Sequence, residues 1–497
     1  MLEMFGAGFA AIFTSPLNFM LIFTGVVVGI VFGVLPGLTV VAALSMFLPL
    51  TFGLEMAIDI AMLAAIYIGG YGGGFVAAIL LNIPGTPASI ATCFDGYPMA
   101  LKGEAGKALG LGITCSFIGT MVSIAALVFI APPLAAVTIK FGPWETFAVT
   151  VFSMSLISSL VGKSLTKGLI SAIIGMMIAT IGLAPIDSAS RYTFGSINLT
   201  SGFTLVPVLV GLYAISEVIS LSAGSKRSST QKITDYKIRG FGFKLAELAG
   251  QTTNMIRACL IGIGIGILPG IGASTSNLIA YSVIKNASKY PEKFGTGVID
   301  GVVAAETTNS ATIGGNMIPL LTLGIPGDGA TALLLAGFMI HGVTPGPLMF
   351  ETHASSLYLI FASMILSSFL MLLVMYGAMR GFVKMLEIPS YILLPVIVVL
   401  CIIGAYATGF RTFDAYALVV FGVIGIVMQK FEVPIPPLIL GFILGEPFEL
   451  NLRRGLQYSN GDLTQLVHHP IALAFFGFIA LFFGVNALRN RLRKRKI

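Results

Sequence analysis

Apolar runs of about 20 residues, the length a helix needs to cross the hydrocarbon core of a bilayer, recur along this 497-residue chain. Lipid offers no partner for peptide groups, so such segments must satisfy their own backbone, and helices do this. The runs are continuous rather than alternating, which excludes an outer-membrane barrel. Composition agrees: 56% of residues are hydrophobic, 10% are charged, and mean hydropathy is +0.97, whereas soluble domains run near 25% charged. The expected fold is an all-α polytopic membrane protein with little chain left for a soluble domain.

The formal charge is +7. The bases lie in short loops and at the tail, as the positive-inside rule expects, so nucleic-acid binding is not the reading. Cys93, Cys115, Cys259 and Cys401 show no CxxC spacing and carry no metal or disulfide signal. The N-terminus lacks a basic n-region, so no cleaved signal peptide is expected.

The stretch 304–331 is the exception to this apolar background. It places Glu306, Thr307, Thr308, Asn309, Ser310 and Asn316 inside an apolar segment, beside Gly314-Gly315 and the run GIPGDG at 324–329. Gly allows unusual backbone and Pro removes an amide donor. Broken backbone at membrane depth is tolerated only where protein or a wet cavity surrounds it. The stretch therefore reads as a solute or ion site.

Its parts occur twice. GVLPGLT at 33–39 matches GILPGIGAST at 266–275, and NIPGTPAS at 82–89 matches GIPGDGAT at 324–331. A Gly cluster precedes each IPG, at 69–74 and 314–315, and both clusters are expected to interrupt their helices. Short apolar arms at about 40–53 and up to about 284 read as the return arms of re-entrant hairpins. The expected organisation is a first transmembrane repeat half at 1–223, a polar cytoplasmic linker at 224–252, a second half at 253–488 and a basic cytoplasmic tail at 489–497. About 12 membrane segments result. A loop is expected from Asp95 to Lys107, and Asp59 is expected near the outer surface.

Charge orients the repeats. Lys102 and Lys107 follow the first IPG, whereas Lys285, Lys289 and Lys293 lie between the second PG and IPG. Equivalent loops carry opposite bias, which predicts inverted topology, the ground plan of many secondary transporters. With the N-terminus periplasmic and the C-terminus cytoplasmic, most bases fall inside; Lys140, Arg191, Arg411, Arg453 and Arg454 fall outside.

Half-helix N-termini with free amides suit carboxylates. The candidate solute-binding residues are Pro36, Gly37, Thr39, Asn82, Pro84, Gly85, Thr86, Ser89, Pro269, Gly270, Ser274, Thr275, Pro326, Gly327, Asp328 and Thr331. The alternative for each motif is a hinge or a close-packing site, and Asp328 is equally suited to cap the following helix. Glu306 at membrane depth calls for a partner, so Glu306, Thr307, Thr308 and Asn309 are the candidate ligands of a coupling ion, Na⁺ or H⁺. The alternative for Glu306 is a place near the cytoplasmic end, facing water. No other cofactor is expected. The four histidines form no HExxH pair, and neither a GxGD pairing nor a Walker A motif occurs, so the chain is not expected to be an enzyme.

With these motifs, the chain resembles the TctA family, the large membrane subunit of bacterial tripartite tricarboxylate transporters. The resemblance is strongest over 33–112 and 262–347, in YIGGYGGGFVAAILLNIPGTPAS, PGIGAS and GIPGDGAT. It implies a binding-protein-dependent secondary transporter of the bacterial inner membrane, taking up citrate or related di- and tricarboxylates. It implies two partners, a small four-span membrane subunit and a periplasmic solute-binding protein. The rival readings are a stand-alone carboxylate symporter and an intramembrane enzyme acting on lipid-linked substrate.

Overall fold

The computed structural model describes residues 2–35, 38–51, 53–160, 164–222, 242–270, 272–382 and 390–481. Helices dominate it; the strands present, β1 Gly182–Leu183 and β2 Ser190–Arg191, form one short antiparallel pair. Among the described residues, six helical stretches are long and apolar enough to cross a membrane: Pro16–Val34, Met56–Leu81, Pro87–Thr138, Ala354–Ala378, Thr412–Lys430 and Ile435–Tyr458. Shorter apolar helices accompany them. Large apolar side chains such as Phe129 and Leu373 point outward from these helices, as lipid-facing residues do. The chain is an all-α, multi-pass membrane protein.

In order, the first half supplies α1 Leu2–Thr14, α2 Pro16–Val34, α3 Val40–Thr51, α4 Met56–Gly73, α5 Phe75–Leu81, α6 Ile90–Met99 and α7 Ala105–Thr138. Then come α8 Pro143–Leu160, α9 Leu165–Ala179, α10 Ile197–Thr200, α11 Leu205–Val210 and α12 Ser216–Ser222. The second half supplies α13 Leu245–Ala249, α14 Thr252–Gly266, α15 Gly272–Ala287, α16 Ile299–Leu323, α17 Gly329–Ile340, α18 Met349–Thr352 and α19 Ala354–Ala378. The chain continues with α20 Ser390–Gly409, α21 Thr412–Lys430, α22 Ile435–Tyr458 and α23 Pro470–Leu481. Residues 223–241, most of the expected linker, and the tail 489–497 lie outside the described residues.

Two compact units arise, each drawing on both halves of the chain: Met1–Ala135 with Val206–Ile426, and Ala136–Leu205 with Val427–Ile497. All the candidate site residues belong to the first unit.

In that unit, glycine spacing decides the packing. Gly25, Gly29 and Gly33 recur every fourth residue on α2, and Gly69 and Gly73 do so on α4. A Cβ on Gly25 would meet Met62 O at 2.7 Å, and one on Gly73 would meet Ile30 O at 2.7 Å. Small residues at this spacing let two backbones touch. The Gly clusters therefore pack helices rather than interrupt them, contrary to the expectation above. Gly74 keeps right-handed helical angles (φ −59°, ψ −28°), so α4 runs on into α5. Likewise α16 is continuous across Gly314-Gly315 and Pro319. Gly314 lies on the Ser123 carbonyl of α7, and a Cβ on Gly315 would meet Gly266 Cα of α14 at 3.0 Å. Everything from Gly301 to Thr322 on α16 is buried, despite its Glu, Asn and Thr content.

Two ties connect the halves at the ends of these helices. Asp95 Oδ1 accepts the backbone N–H groups of Gly295, Gly297 and Val298 at 3.0, 2.8 and 2.9 Å, and its Oδ2 accepts the Tyr281 hydroxyl at 2.8 Å. Asp95 is buried in α6, so the loop expected from it to Lys107 is helical as far as a kink at Gly103, where the chain turns left-handed (φ 82°, ψ 8°) before α7. At the other tie, His341, beyond α17, meets Asp59 on α4 at 2.7 Å. Asp59 is fully buried rather than surface-facing. Lys107 and Glu247 pair at 2.6 Å. The Lys107 ammonium holds the Glu247 carboxyl below its usual range.

The second unit packs by the same rule. Gly441 of α22 lies on the Ala172 carbonyl of α9, and Gly175 of α9 lies on the Leu438 carbonyl of α22. Arg191 and Arg453 both reach Glu449, at 2.7 and 2.9 Å. Two of the bases expected outside are thus neutralised by an acid. In the first unit Arg411 is likewise paired with Asp414 at 2.8 Å.

Candidate functional site

The helices of the first unit break where the IPG motifs stand. α5 stops at Asn82 (φ 54°, ψ 31°) and α16 stops at Gly324 (φ 68°, ψ 23°), both left-handed. Asn and Gly are the residues that tolerate this conformation. The next amide closes the turn each time: Ile83 N–H to Ala77 O at 3.4 Å, and Ile325 N–H to Pro319 O at 3.2 Å. Pro84-Gly85 and Pro326-Gly327 follow. The next helical turn begins alike in both places. Ser89 Oγ accepts the Thr86 N–H at 3.2 Å and donates to Thr86 O at 2.9 Å. Thr331 Oγ1 accepts the Asp328 N–H at 2.9 Å and donates to Asp328 O at 3.0 Å. One local structure is built twice.

Each IPG corner lies against the PG corner of its own half. Gly85 donates to Gly74 O at 3.1 Å and presses on the Gly33 carbonyl. Gly270, beside Pro269 and left-handed at φ +76°, donates to Gly327 O at 2.8 Å. Pro36 and Gly37 lie outside the described residues; Thr39 caps α3 by accepting the Ala42 N–H at 3.2 Å. In the second half Ser274 and Thr275 are only partly buried. The buried polar residues of that turn are Ser276 and Asn277, and the Asn277 amide donates across to Ala88 O of the first half. The candidate solute residues thus come together in two corners per half, with α15 touching the first-half IPG segment.

The two IPG corners differ in charge. Asp328 accepts at Oδ1 from Thr331 N–H and Oγ1, at 2.8 and 2.7 Å, and at Oδ2 from Tyr71 and Tyr67 hydroxyls, at 2.6 and 3.1 Å. Tyr67 in turn accepts from the Asn316 amide at 3.0 Å. The carboxylate therefore caps α17 and supplies the negative charge that the N-terminus of α17 favours. The equivalent position of the first half is Thr86, which brings no charge.

Glu306 is fully buried on α16. It accepts from the Thr92 hydroxyl of α6 and, at 3.4 Å, from the Ser116 hydroxyl of α7. It does not face water, as the cytoplasmic-end alternative would have it. Thr308 turns away and donates to Ala258 O at 3.2 Å. Thr307 is buried one residue on, and Asn309 one turn on. Among the described residues, the Asn309 side-chain amide oxygen Oδ1 is buried without a hydrogen-bond partner. Such an atom is free to accept from water or to ligate a cation. Carboxylate, hydroxyl and amide oxygens together are the donor set a hard cation takes.

The profile of the Tripartite tricarboxylate transporter TctA family matches residues 19–440. The chain belongs to this family. It is 35% identical over 424 residues, 85% of this chain and 84% of the relative, to an uncharacterized 52.8 kDa protein of the TAR-I ttuC′ 3′ region in Agrobacterium vitis. It is 38% identical over 232 residues, 47% of this chain and 96% of the relative, to an uncharacterized protein of the TAR-II ttuC′ 3′ region in the same organism. No solved structure matches.

In this TctA chain, several residues that the motifs did not single out carry the geometry: Tyr67, Tyr71, Thr92, Asp95, Ser116 and Asn277. Two of them had a readable signal. Tyr67 and Tyr71 stand four apart beside the first Gly cluster, and one helical face carries both. Thr92 and Ser116 had none, because hydroxyls in apolar helices are common and their partner is distant in sequence.

Proposed function

We propose that this chain is the large membrane subunit of a tripartite, binding-protein-dependent system for uptake of di- or tricarboxylates such as citrate. Transport is driven by a Na⁺ or H⁺ gradient across the bacterial inner membrane. A small four-span membrane subunit and a periplasmic solute-binding protein are its partners. Family membership carries this reading. The duplicated corners support it, because paired helix breaks facing one another are how such transporters form a midplane site.

The solute carboxylates bind at the first-half corners, around Thr39, Gly85, Thr86 and Ser89, where helix ends bring no negative charge of their own. The coupling cation is held by Glu306 with Thr92, Ser116 and the Asn309 side-chain amide oxygen, and its charge offsets the buried carboxylate. Asp328 organises the second corner. The two ties also favour inverted repeats. The loop after the first IPG meets the loop between PG and IPG of the second half, through Asp95. The loop after the second IPG meets the PG-to-IPG segment of the first half, through His341 and Asp59. Equivalent loops thus exchange ends, and the charge bias of the loops favours a periplasmic N-terminus with a cytoplasmic C-terminus.

The test is uptake of labelled citrate and dicarboxylates into liposomes holding all three subunits, under an imposed Na⁺ or H⁺ gradient. Wild type accumulates solute, and Glu306→Gln loses most gradient-driven uptake. Accumulation without the partner subunits would make the protein a stand-alone symporter. No uptake of any carboxylate with all partners present would overturn the reading.

A further inference from the structure

The stretch from α11 to α12 crosses the first unit beside both kinds of corner. It is not a regular helix. Gly211–Ile215 forms a π turn, in which the Ser216 N–H reaches back five residues to Gly211 O. π turns concentrate at functional sites, where they redirect side chains. Tyr213 and Glu217 flank its end, four residues apart. Glu217 Oε2 accepts the Thr39 hydroxyl at 2.9 Å, at the first PG corner. A Cβ on Gly329 would lie 2.7 Å from Tyr213 Oη, at the second IPG corner. One short segment therefore reaches a corner of each half.

Glu217 is partly buried, and among the described residues it forms no ion pair. The elements packed against this segment bring few titratable groups. α3 has none. Among described side chains α20 has Cys401 and Tyr406, and α21 has Asp414, Tyr416 and Lys430, with Asp414 held by Arg411. Asp328 lies beyond Tyr213 and is already held by the Thr331 N–H and by the Tyr67 and Tyr71 hydroxyls. A solute carboxylate at the Thr39 corner would thus face a like charge in a poorly screened place, where repulsion is strong. A small cation between the two removes that repulsion.

We propose that Glu217 is a coupling carboxylate of the solute site itself, binding a monovalent cation, H⁺ or Na⁺, that travels with the solute. The role is separate from that of Glu306, which lies sealed behind Thr92 and Ser116. It rests on the carboxylate-uptake reading above. Thr39 positions the Glu217 carboxylate, and Tyr213 spaces the segment from the second corner.

Two measurements on the reconstituted three-subunit system test this. One is accumulation under an imposed H⁺ or Na⁺ gradient; the other is exchange of labelled for unlabelled solute with no gradient. Gln can still accept from Thr39, so Glu217→Gln keeps the fold. It is expected to retain exchange but to lose gradient-driven accumulation by about tenfold or more. Glu217→Asp is expected to recover part of the accumulation. The gradient that drives wild type identifies the cation. Wild-type accumulation in Glu217→Gln would overturn the proposal. So would joint loss of exchange and accumulation in both variants, which marks a structural role. Wild type that accumulates no carboxylate overturns the uptake reading, and the proposal with it.

Discussion

Asp95 illustrates how one buried side chain can hold two distant segments. Its Oδ1 takes three backbone amides of the loop before α16, and its Oδ2 takes the Tyr281 hydroxyl. Removing the carboxylate leaves the buried Tyr281 hydroxyl and three part-buried amides without their acceptor, which costs more than the bonds themselves contribute. Asp95→Ala is therefore expected to destabilise the protein by about 3 kcal/mol or more, read as a clear fall in melting temperature in detergent. Asp95→Asn keeps an oxygen for the three amides and should fall far less. Tyr281→Phe loses one bond and should be milder than Asp95→Ala. A melting temperature for Asp95→Ala equal to wild type would refute this account of the tie.

At the scale of elements, packing glycines and breaking glycines separate. α14 carries both a contact face and an outward face within one turn. A Cβ on Gly262 would meet Thr308 O of α16 at 2.7 Å, and one on Gly266 would meet Gly315 Cα at 2.9 Å, while Gly264 has open space. Gly262→Leu and Gly266→Leu should abolish monodisperse protein, and Gly264→Leu should leave yield and profile on size exclusion unchanged. Equal tolerance of all three would show that α14 and α16 do not touch as described. The same distinction explains what the sequence could convey. The corners were legible at Asn82, Gly324, Pro84 and Pro326, because left-handed and proline backbone is local chemistry. The fate of Gly314-Gly315 was not, because a missing Cβ serves a turn and a close approach equally, and only the neighbour's position decides. The cap at Asp328 was legible as one of two options. The Thr39–Glu217 bond joins residues 178 positions apart, and no local pattern announces such a pairing. A lone carboxylate within the apolar stretch 204–223 was the available signal.

At the scale of the whole molecule, the question is which loops share a face. The Asp95 tie places the segment leading to Lys102 against the one containing Lys293, and the Asp59–His341 pair places the start of α4 against the end of α17. If each tie lies at a membrane surface, the loops on it must label together and the two ties must label oppositely. Glu55, Lys102, Lys289 and Thr344 are exposed positions on these loops. With the basic loops inside, as charge bias demands, an impermeant thiol reagent added to intact cells should modify Glu55→Cys and Thr344→Cys. Lys102→Cys and Lys289→Cys should react only after permeabilisation. The native cysteines are buried or partly buried and provide a low background. Modification of Lys289→Cys together with Thr344→Cys in intact cells would put both loops flanking the second IPG on one side. That outcome is incompatible with α16 and α17 jointly crossing the membrane, and the inverted arrangement would fall with it. Co-labelling of Glu55→Cys with Thr344→Cys alone leaves one consistent path: each IPG break lies midway along a crossing, and the corners of the two halves meet from opposite sides.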